Sequence, residues 1–212
     1  NIDNIQIERV QKTKFLGVII NQSLTWTDHI SLVKQKITKS IGVILRIRKT
    51  LPTSILRTLY FSLIHPYYEY CNIVWAIHRS TALNDLFLTQ KKALRIITNS
   101  PWQCHTKPLF SKLKILSVFS INEFQVGCFM YKATHFLLPS YFGGMFTLNC
   151  DVHNYETRHK NNLHLSQHRL NARTHSMRIH GVKLWNSLAT ELRFVPSYSI
   201  FKTQFFKSLF VE

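Results

Sequence analysis

Residues 60–100 read YFSLIHPYYEYCNIVWAIHRSTALNDLFLTQKKALRIITNS, and this stretch decides the fold that we predict. If Ser80 caps a helix, apolar side chains and one glutamine then recur every three or four residues and share one face. The stripe consists of Leu83, Phe87, Gln90, Leu94 and Ile97. Pro66 should end an earlier helix near residues 63–67, because the residue before a proline avoids the α region. Residues 67–75 are too apolar for a surface loop and form a second buried piece, either helix or short strand.

The flank of this helix away from the stripe is basic. It carries Lys91, Lys92 and Arg95. An apolar stripe with a basic flank is typical of a helix that packs on a core and shows its charge to a polyanion. The same three residues also fit an ordinary solvated face, because Lys and Arg are good helix formers.

Upstream of this stretch, two β-rich runs and a second amphipathic helix are expected. Residues 5–10 and 14–20 predict a small hairpin, with Gly17 at a bulge or a close backbone approach. Residues 25–28 fit a capping box that opens a helix to about Lys49. Its apolar stripe consists of Ile30, Val33, Ile37, Ile41 and Ile44. Its far side carries Lys36, Lys39 and Arg46, so its outer face is basic as well.

Downstream, the pattern predicts further helices and then a change of character. A helix begins after Pro52, a short one begins near Pro108, and one capped by Ser117 ends near Pro139. The later segments include possible strands at residues 163–165 and 173–180, a short helix over 182–188, and a final helix after residues 196–197. The predicted class is therefore α+β and mainly α. Its predicted divisions are a β-hairpin (1–24), a helical domain (25–138), a linker (139–162) and a small mixed extension (163–212).

The charge of the chain favours a nucleic-acid or anionic-surface partner. Lys and Arg total 27 against 10 acidic residues, which gives a net charge of +17, and the excess is spread along the chain. The longest run without a charged residue, 133–150, contains Pro139 and cannot span a membrane. The first residue is not Met, so a fragment of a longer chain is expected. Four scattered cysteines, Cys71, Cys104, Cys128 and Cys150, indicate free thiols in a reducing compartment, and hence an intracellular protein of the nucleus or cytoplasm.

The residues present do not predict catalysis. Two-metal chemistry needs carboxylates that share divalent ions, but the closest acidic pairs, Asp3 with Glu8 and Asp151 with Glu156, are separated in polar sequence. A phosphate-binding glycine loop and a Gly-x-Ser-x-Gly motif are both absent from the sequence. The pair Cys104-His105 lacks a nearby acid to orient it. We therefore assign no catalytic residue to this chain.

The histidine-rich region after residue 150 raises the question of zinc. Cys150-x-x-His153 and His164-x-x-x-His168 have ligand-like spacing, whereas a closed structural site normally uses two or more cysteines in tight pairs. A histidine-rich basic surface that meets phosphates or solvent is the favoured interpretation, so no metal ligand is predicted. Most aromatic residues fall on helical stripes, and those expected to be exposed, and able to stack on bases, are Trp26, Trp102 and Tyr155.

Several short motifs, taken together, resemble one known family. The motifs are residues 14–20 (KFLGVII), 24–30 (LTWTDHI), 62–66 (SLIHP), 70–75 (YCNIVW), 90–97 (QKKALRII), 155–158 (YETR) and 183–188 (KLWNSL). Their order and spacing resemble the segment just after the palm in reverse transcriptases of non-LTR retrotransposons (LINEs) of the jockey-like kind. The resemblance extends over nearly the whole chain.

The resemblance implies a carboxy-terminal fragment of such an RNA-directed DNA polymerase: the end of the palm, the thumb and an extension. The catalytic aspartates of the family lie upstream, and no residue here matches them. A divalent metal would therefore belong to the missing palm, and no cofactor is expected within this chain. The zinc knuckle that some relatives carry is not matched. The partners implied are an RNA or RNA–DNA duplex and the upstream palm, with no membrane.

On this basis the chain should hold the template–primer duplex through its phosphates without reading sequence. Two sets of residues are predicted to contact phosphates. The first set, from helix geometry, is Lys36, Lys39, Lys91, Lys92 and Arg95, and the second, from charge alone, is Arg158, Arg173 and Arg178. The alternative is a non-catalytic basic interaction or scaffold fragment left by a decayed mobile element.

Overall fold

The computed structural model describes residues 9–153 and 155–210. Its internal contacts divide the chain into two compact units. The first unit comprises residues 1–71 and 78–104, and the second comprises residues 72–77 and 105–212. The domain boundaries predicted from sequence stay a prediction.

The elements follow in chain order. The first unit contains strands β1 (Lys12–Phe15) and β2 (Val18–Asn21) and helices α1 (Thr27–Ile47), α2 (Thr53–Leu63), α3 (His65–Glu69) and α5 (Thr81–Ile97). The second contains α4 (Asn72–Trp75), α6 (Lys107–Leu113), α7 (Val118–Thr134), α8 (Asn149–Val152), α9 (Asn171–Thr174), α10 (Val182–Ser187), α11 (Thr190–Arg193) and α12 (Tyr198–Ser208). A 3₁₀ turn covers Ser140–Phe142 and a π-helical turn covers Met177–Gly181. The predicted class, α+β and mainly α with an N-terminal hairpin, is confirmed.

The hairpin turns at a different place from the one predicted. Phe15 pairs with Val18, so Leu16 and Gly17 form a two-residue turn, with φ of 44° and 82°. Two positive φ values define the turn whose twist matches that of the strands, and glycine adopts this conformation without a steric penalty. The prediction of a connection at residues 11–13 was therefore wrong, and residues 5–8 of the predicted first run lie outside the described residues. The hydroxyl of Tyr70 donates to the carbonyl of Leu16 at 2.5 Å and fixes the turn.

The first helix has the predicted face but a different start. All five residues of its predicted stripe are buried, together with His29. The residue before the helix, Trp26, is left-handed (φ 62°) and makes no side-chain cap, so the predicted capping box was wrong. The hydroxyl of Thr25 instead accepts a hydrogen bond from Asn21 Nδ2 at 2.8 Å, and Asn21 Oδ1 accepts from the Thr25 N–H. Asn21 therefore takes the place of a helix cap in ordering this connection.

Helix α5 begins where the sequence predicted. The Ser80 hydroxyl accepts from the Leu83 N–H at 3.2 Å, the usual N-cap interaction. Four of the five stripe residues are buried, while Phe87 is half-buried and the buried face extends to two further residues, Leu86 and Ala93. Gln90, fully buried, donates from Nε2 to the hydroxyl of Tyr60 on α2 at 2.9 Å. The hydrogen bond explains how a polar residue occupies an apolar stripe.

The core of the second unit forms around α7, which packs against α10 and α12. Tyr131 of α7 stacks on Phe201 of α12, with ring centroids 4.7 Å apart, and its hydroxyl donates to the carbonyl of Val195. Residues 173–180, predicted as a possible strand, are helical, because Ile179 and Gly181 are buried against this core. That prediction was wrong. Leu163, in the other possible strand, forms only an isolated antiparallel bridge with Leu148.

Candidate nucleic-acid interface

The outer side of α1 presents two of the predicted phosphate contacts. Lys39 lies about 160° around the helix from the buried Ile37 and is exposed. Among the described residues it has no ion pair or hydrogen bond. Lys36 is exposed as well, and its ammonium lies 5.5 Å from the centroid of the Tyr67 ring. Both charges are therefore presented on a helix whose opposite face is fixed in the core.

The outer side of α5 presents two more. Lys92 is exposed, and within the described part of the chain its ammonium has no acidic partner. Lys91 is half-buried, with its Nζ 4.3 Å from the centroid of the Phe87 ring. A cation over an aromatic face is attracted by the ring quadrupole and stays charged. Lys91 is thus oriented by its own helix, whereas Lys92 is free to reach a ligand.

Arg95 has a role that the sequence did not reveal. Its Nε and Nη2 donate to the carbonyl of Cys104 at 3.1 and 3.0 Å, and its Cζ lies 5.3 Å from the Trp102 ring. The guanidinium therefore holds the 99–104 connection against α5. Two of its five N–H donors are used in this way, which leaves the others for a phosphate.

One basic residue that was not predicted is partly neutralised. Lys34 of α1 forms an ion pair with Asp85 of α5, 3.3 Å from Nζ to Oδ2, at a partly exposed position. Such exposed pairs add little stability. The first unit carries fourteen Lys and Arg against five acidic residues, so it keeps a large positive excess after this pair.

A pocket of about 300 Å³ lies beside Lys36. It is lined by the hairpin turn, α1 and the α3 region, and includes Gly17, His29, Lys36, Tyr67 and Tyr70. Burial lowers the pKa of His29, and the nearby Lys36 charge lowers it further, so this histidine is neutral at pH 7. The one cation in the pocket lining is then Lys36, next to two tyrosine rings.

The second predicted set lies in the second unit. Arg158, Arg173 and Arg178 are all exposed. Arg173 lines a pocket of about 370 Å³ together with Arg169, which the sequence analysis did not single out. Arg158 and Arg178 do not line it. The structure therefore brings one of the three predicted arginines next to another arginine.

The search for other site types gives a short answer. Over residues 9–153 and 155–210, no three His, Cys, Asp or Glu side chains are grouped as metal ligands. All four cysteines are free thiols. None of the helices that the structure describes is long and apolar enough to cross a membrane. Of the aromatic residues expected at the surface, Trp102 and Tyr155 are exposed, and Trp26 is half-buried.

A mainly helical fold with exposed basic faces is typical of proteins that contact nucleic acids. Comparison with curated proteins points to the same class. The chain is 24% identical over 126 residues to a probable RNA-directed DNA polymerase from transposon X-element of Drosophila melanogaster, which covers 58% of this chain. It is 30% identical over 118 residues (54% of the chain) to the RNA-directed DNA polymerase from mobile element jockey of Drosophila funebris, and 27% identical over 112 residues (51%) to that of Drosophila melanogaster.

These matches confirm the resemblance to jockey-like non-LTR retrotransposon reverse transcriptases. The matched region covers 14%, 13% and 12% of these three relatives, so the chain corresponds to a small part of each. No family model and no solved structure matches the chain.

Proposed function

We propose that this chain is the carboxy-terminal, thumb-like part of an RNA-directed DNA polymerase of a mobile element. Its first unit holds the template–primer duplex, an RNA–DNA hybrid or RNA, through phosphate contacts. The polymerisation itself belongs to a palm upstream of this chain.

One observation carries the proposal: the exposed lysines of α1 and α5 lie opposite deeply buried stripes. Ile37 and Leu94 are fully buried in the middle of the two helices. The backbones of these helices are therefore fixed, and only the lysine side chains have to be ordered when a ligand binds. Charges on a rigid face lose less entropy on binding than charges on a flexible tail.

The chemistry of this face fits duplex backbones rather than base edges. Ammonium groups act as point charges towards phosphate and carry no sequence information, so contacts from Lys36, Lys39, Lys91 and Lys92 would position a duplex without selecting a sequence. Arg95 contributes by ordering the 99–104 connection at the end of α5.

Catalytic chemistry is not assigned to this chain. The described residues offer no group of carboxylates for divalent ions, which agrees with the absence of any match to the catalytic aspartates of the family. The role proposed here is binding and positioning of the primer end for a palm supplied by the rest of the polypeptide.

The test uses charge variants and a salt titration. Lys39→Gln combined with Lys92→Gln should lower the slope of log affinity against log salt by about 0.9 for each lost duplex contact. The matched control is Lys34→Gln, which removes a lysine of α1 that Asp85 already neutralises and should change the slope less. A folded double variant with the slope of the unmodified chain would contradict the proposal and favour the non-catalytic scaffold fragment.

A further inference from the structure

A pocket of about 390 Å³ in the second unit lies apart from the lysines discussed above. Its polar and aromatic lining includes Asn149, His153, Tyr155, Lys160, His164 and Asn186. The volume falls within the range of small-ligand sites. Planar rings and amides dominate this lining, and it contains no acidic residue. The lining therefore suits a planar, polar and electron-rich ligand better than a cation.

The walls of this pocket are held rigidly. An antiparallel bridge joins Leu148 to Leu163, and the N–H of His164 donates to the carbonyl of Thr147 at 2.8 Å. The side-chain amide of Asn186 accepts from the N–H of Leu163 at 3.0 Å and donates to its carbonyl at 2.9 Å. Leu163 itself is buried in the core of the second unit. The pocket is thus preformed.

The hydrogen bonds also settle the tautomer of His164. Asn149 Nδ2 donates to the carbonyl of His159 at 2.9 Å, so the amide oxygen of Asn149 is the group that lies 3.2 Å from His164 Nδ1. An oxygen acceptor requires that Nδ1 carry the proton. In the neutral ring, Nε2 is then an acceptor, which can pair with the amino group of a base or with a ribose 2′-hydroxyl.

Three rings are available for stacking at this pocket. Tyr155 is 79% exposed. The rings of His153 and His164 lie edge to face, with centroids 5.9 Å apart and planes at 70°. Exposed aromatic rings near basic groups are what single-strand binding proteins use to stack unpaired bases.

A basic pocket follows directly along the chain. Leu165 lines the first pocket and Gln167 lines the second, of about 370 Å³, so a single residue separates the two linings. The second pocket contains the exposed Arg169 and Arg173, while His168 Nε2 is 2.9 Å from the hydroxyl of Thr174. Two guanidinium groups beside a ring-lined pocket match the alternation of base and phosphate along one strand.

We infer that the 149–173 region binds single-stranded nucleic acid, with an unpaired base in the pocket lined by Tyr155 and His164 and neighbouring phosphates on Arg169 and Arg173. A duplex cannot fill this pocket, because its bases are stacked and paired. The site therefore differs from the duplex face of the first unit. It rests on the proposed function only in that nucleic acid is the partner.

The test measures binding of the whole chain to a labelled twelve-nucleotide RNA of mixed sequence by fluorescence anisotropy. Tyr155→Leu should weaken this binding at least about fivefold, the lower end of what one stacked base contributes. Tyr141→Leu is the matched control, since Tyr141 is 91% exposed in the same unit but lines no part of the pocket. The control should bind as the unmodified chain does, and an abasic strand should not distinguish the two variants.

The phosphate part is tested separately. Arg169→Ala combined with Arg173→Ala should reduce the salt slope on the same strand by about 0.7 for each lost contact. Unchanged single-strand affinity in a folded Tyr155→Leu variant would overturn the inference, and so would an equal loss for the abasic strand. Tyr155-dependent binding of the strand without binding of a hybrid would support this site and contradict the duplex proposal, and the reverse result would contradict this site alone.

Discussion

At the scale of single residues, Tyr60 shows how the first unit accommodates polar groups in its core. The ring is fully buried, and the hydroxyl accepts the hydrogen bond from Gln90. Burial raises the pKa of Tyr60 far above its usual range, although the hydrogen bond from Gln90 acts in the opposite direction. The folded protein therefore strongly favours the neutral phenol.

This burial predicts a loss of stability at alkaline pH. The pKa of Tyr60 is higher in the folded than in the unfolded chain, so its contribution is complete below about pH 10 and falls as the pH rises towards the folded value. The loss can reach about 1.4 kcal/mol per pH unit. Tyr60→Phe should flatten this dependence, as measured by urea unfolding between pH 9 and 11. The exposed control, Tyr141→Phe, should keep the slope of the unmodified chain, and a Tyr60→Phe slope equal to that of the control would contradict the account.

Arg95 shows which part of a site the sequence could not predict. Its place on the outer flank of α5 followed from helical periodicity. Its bonds to the carbonyl of Cys104 depend on how the chain returns after Asn99, where the backbone is left-handed (φ 51°). A contact created by a turn leaves no periodic signal in the sequence, and the same holds for the pairing of Asn186 with Leu163.

At the scale of elements, the closest approach in the second unit is between α7 and α12. Gly127 lies under the ring of Phe205, and a Cβ at that position would overlap the Cε1 and Cζ atoms of the ring. The ring is buried among Phe201, Tyr131 and neighbouring side chains, so it has little room to move. The absence of a side chain at residue 127 permits this packing.

Gly127→Ala should therefore destabilise the second unit by about 1–3 kcal/mol, the usual cost of overpacking a dense core. The control is Gly42→Ala in α1, where an added Cβ meets nothing within 4 Å. That variant should gain about 0.5–1 kcal/mol, because alanine loses less backbone entropy than glycine in a helix. Thermal and urea unfolding would measure both. Equal effects of the two substitutions would show that α7 and α12 are not packed as described.

The sequence predicted long elements better than short ones, for a physical reason. Helices α1, α5 and α7 are long enough for several repeats of an apolar stripe, and Ser80 and Ser117 cap the last two as expected. The hairpin turn and residues 173–180 depend on a few residues each. In the second case burial against α7 and its neighbours outweighed the local pattern, so tertiary packing decided the structure.

At the scale of the whole molecule, positive charge is present in both units. The second unit carries thirteen Lys and Arg against five acidic residues, close to the balance of the first. Composition therefore predicted a polyanionic partner but could not locate the site. Periodicity located the lysines of the first unit, whereas the pocket lined by Tyr155 depends on contacts between residues far apart in sequence.

The measurement that tests the central claim most directly is binding of the purified chain to a short RNA–DNA hybrid. It should run from roughly 50 to 200 mM salt, with excess mixed-sequence single strand to occupy the pocket of the second unit. We predict hybrid binding that survives the competitor and weakens steeply with salt. Hybrid binding that the single strand abolishes, or that is no tighter than binding to any polyanion, would contradict a duplex-holding role for this chain.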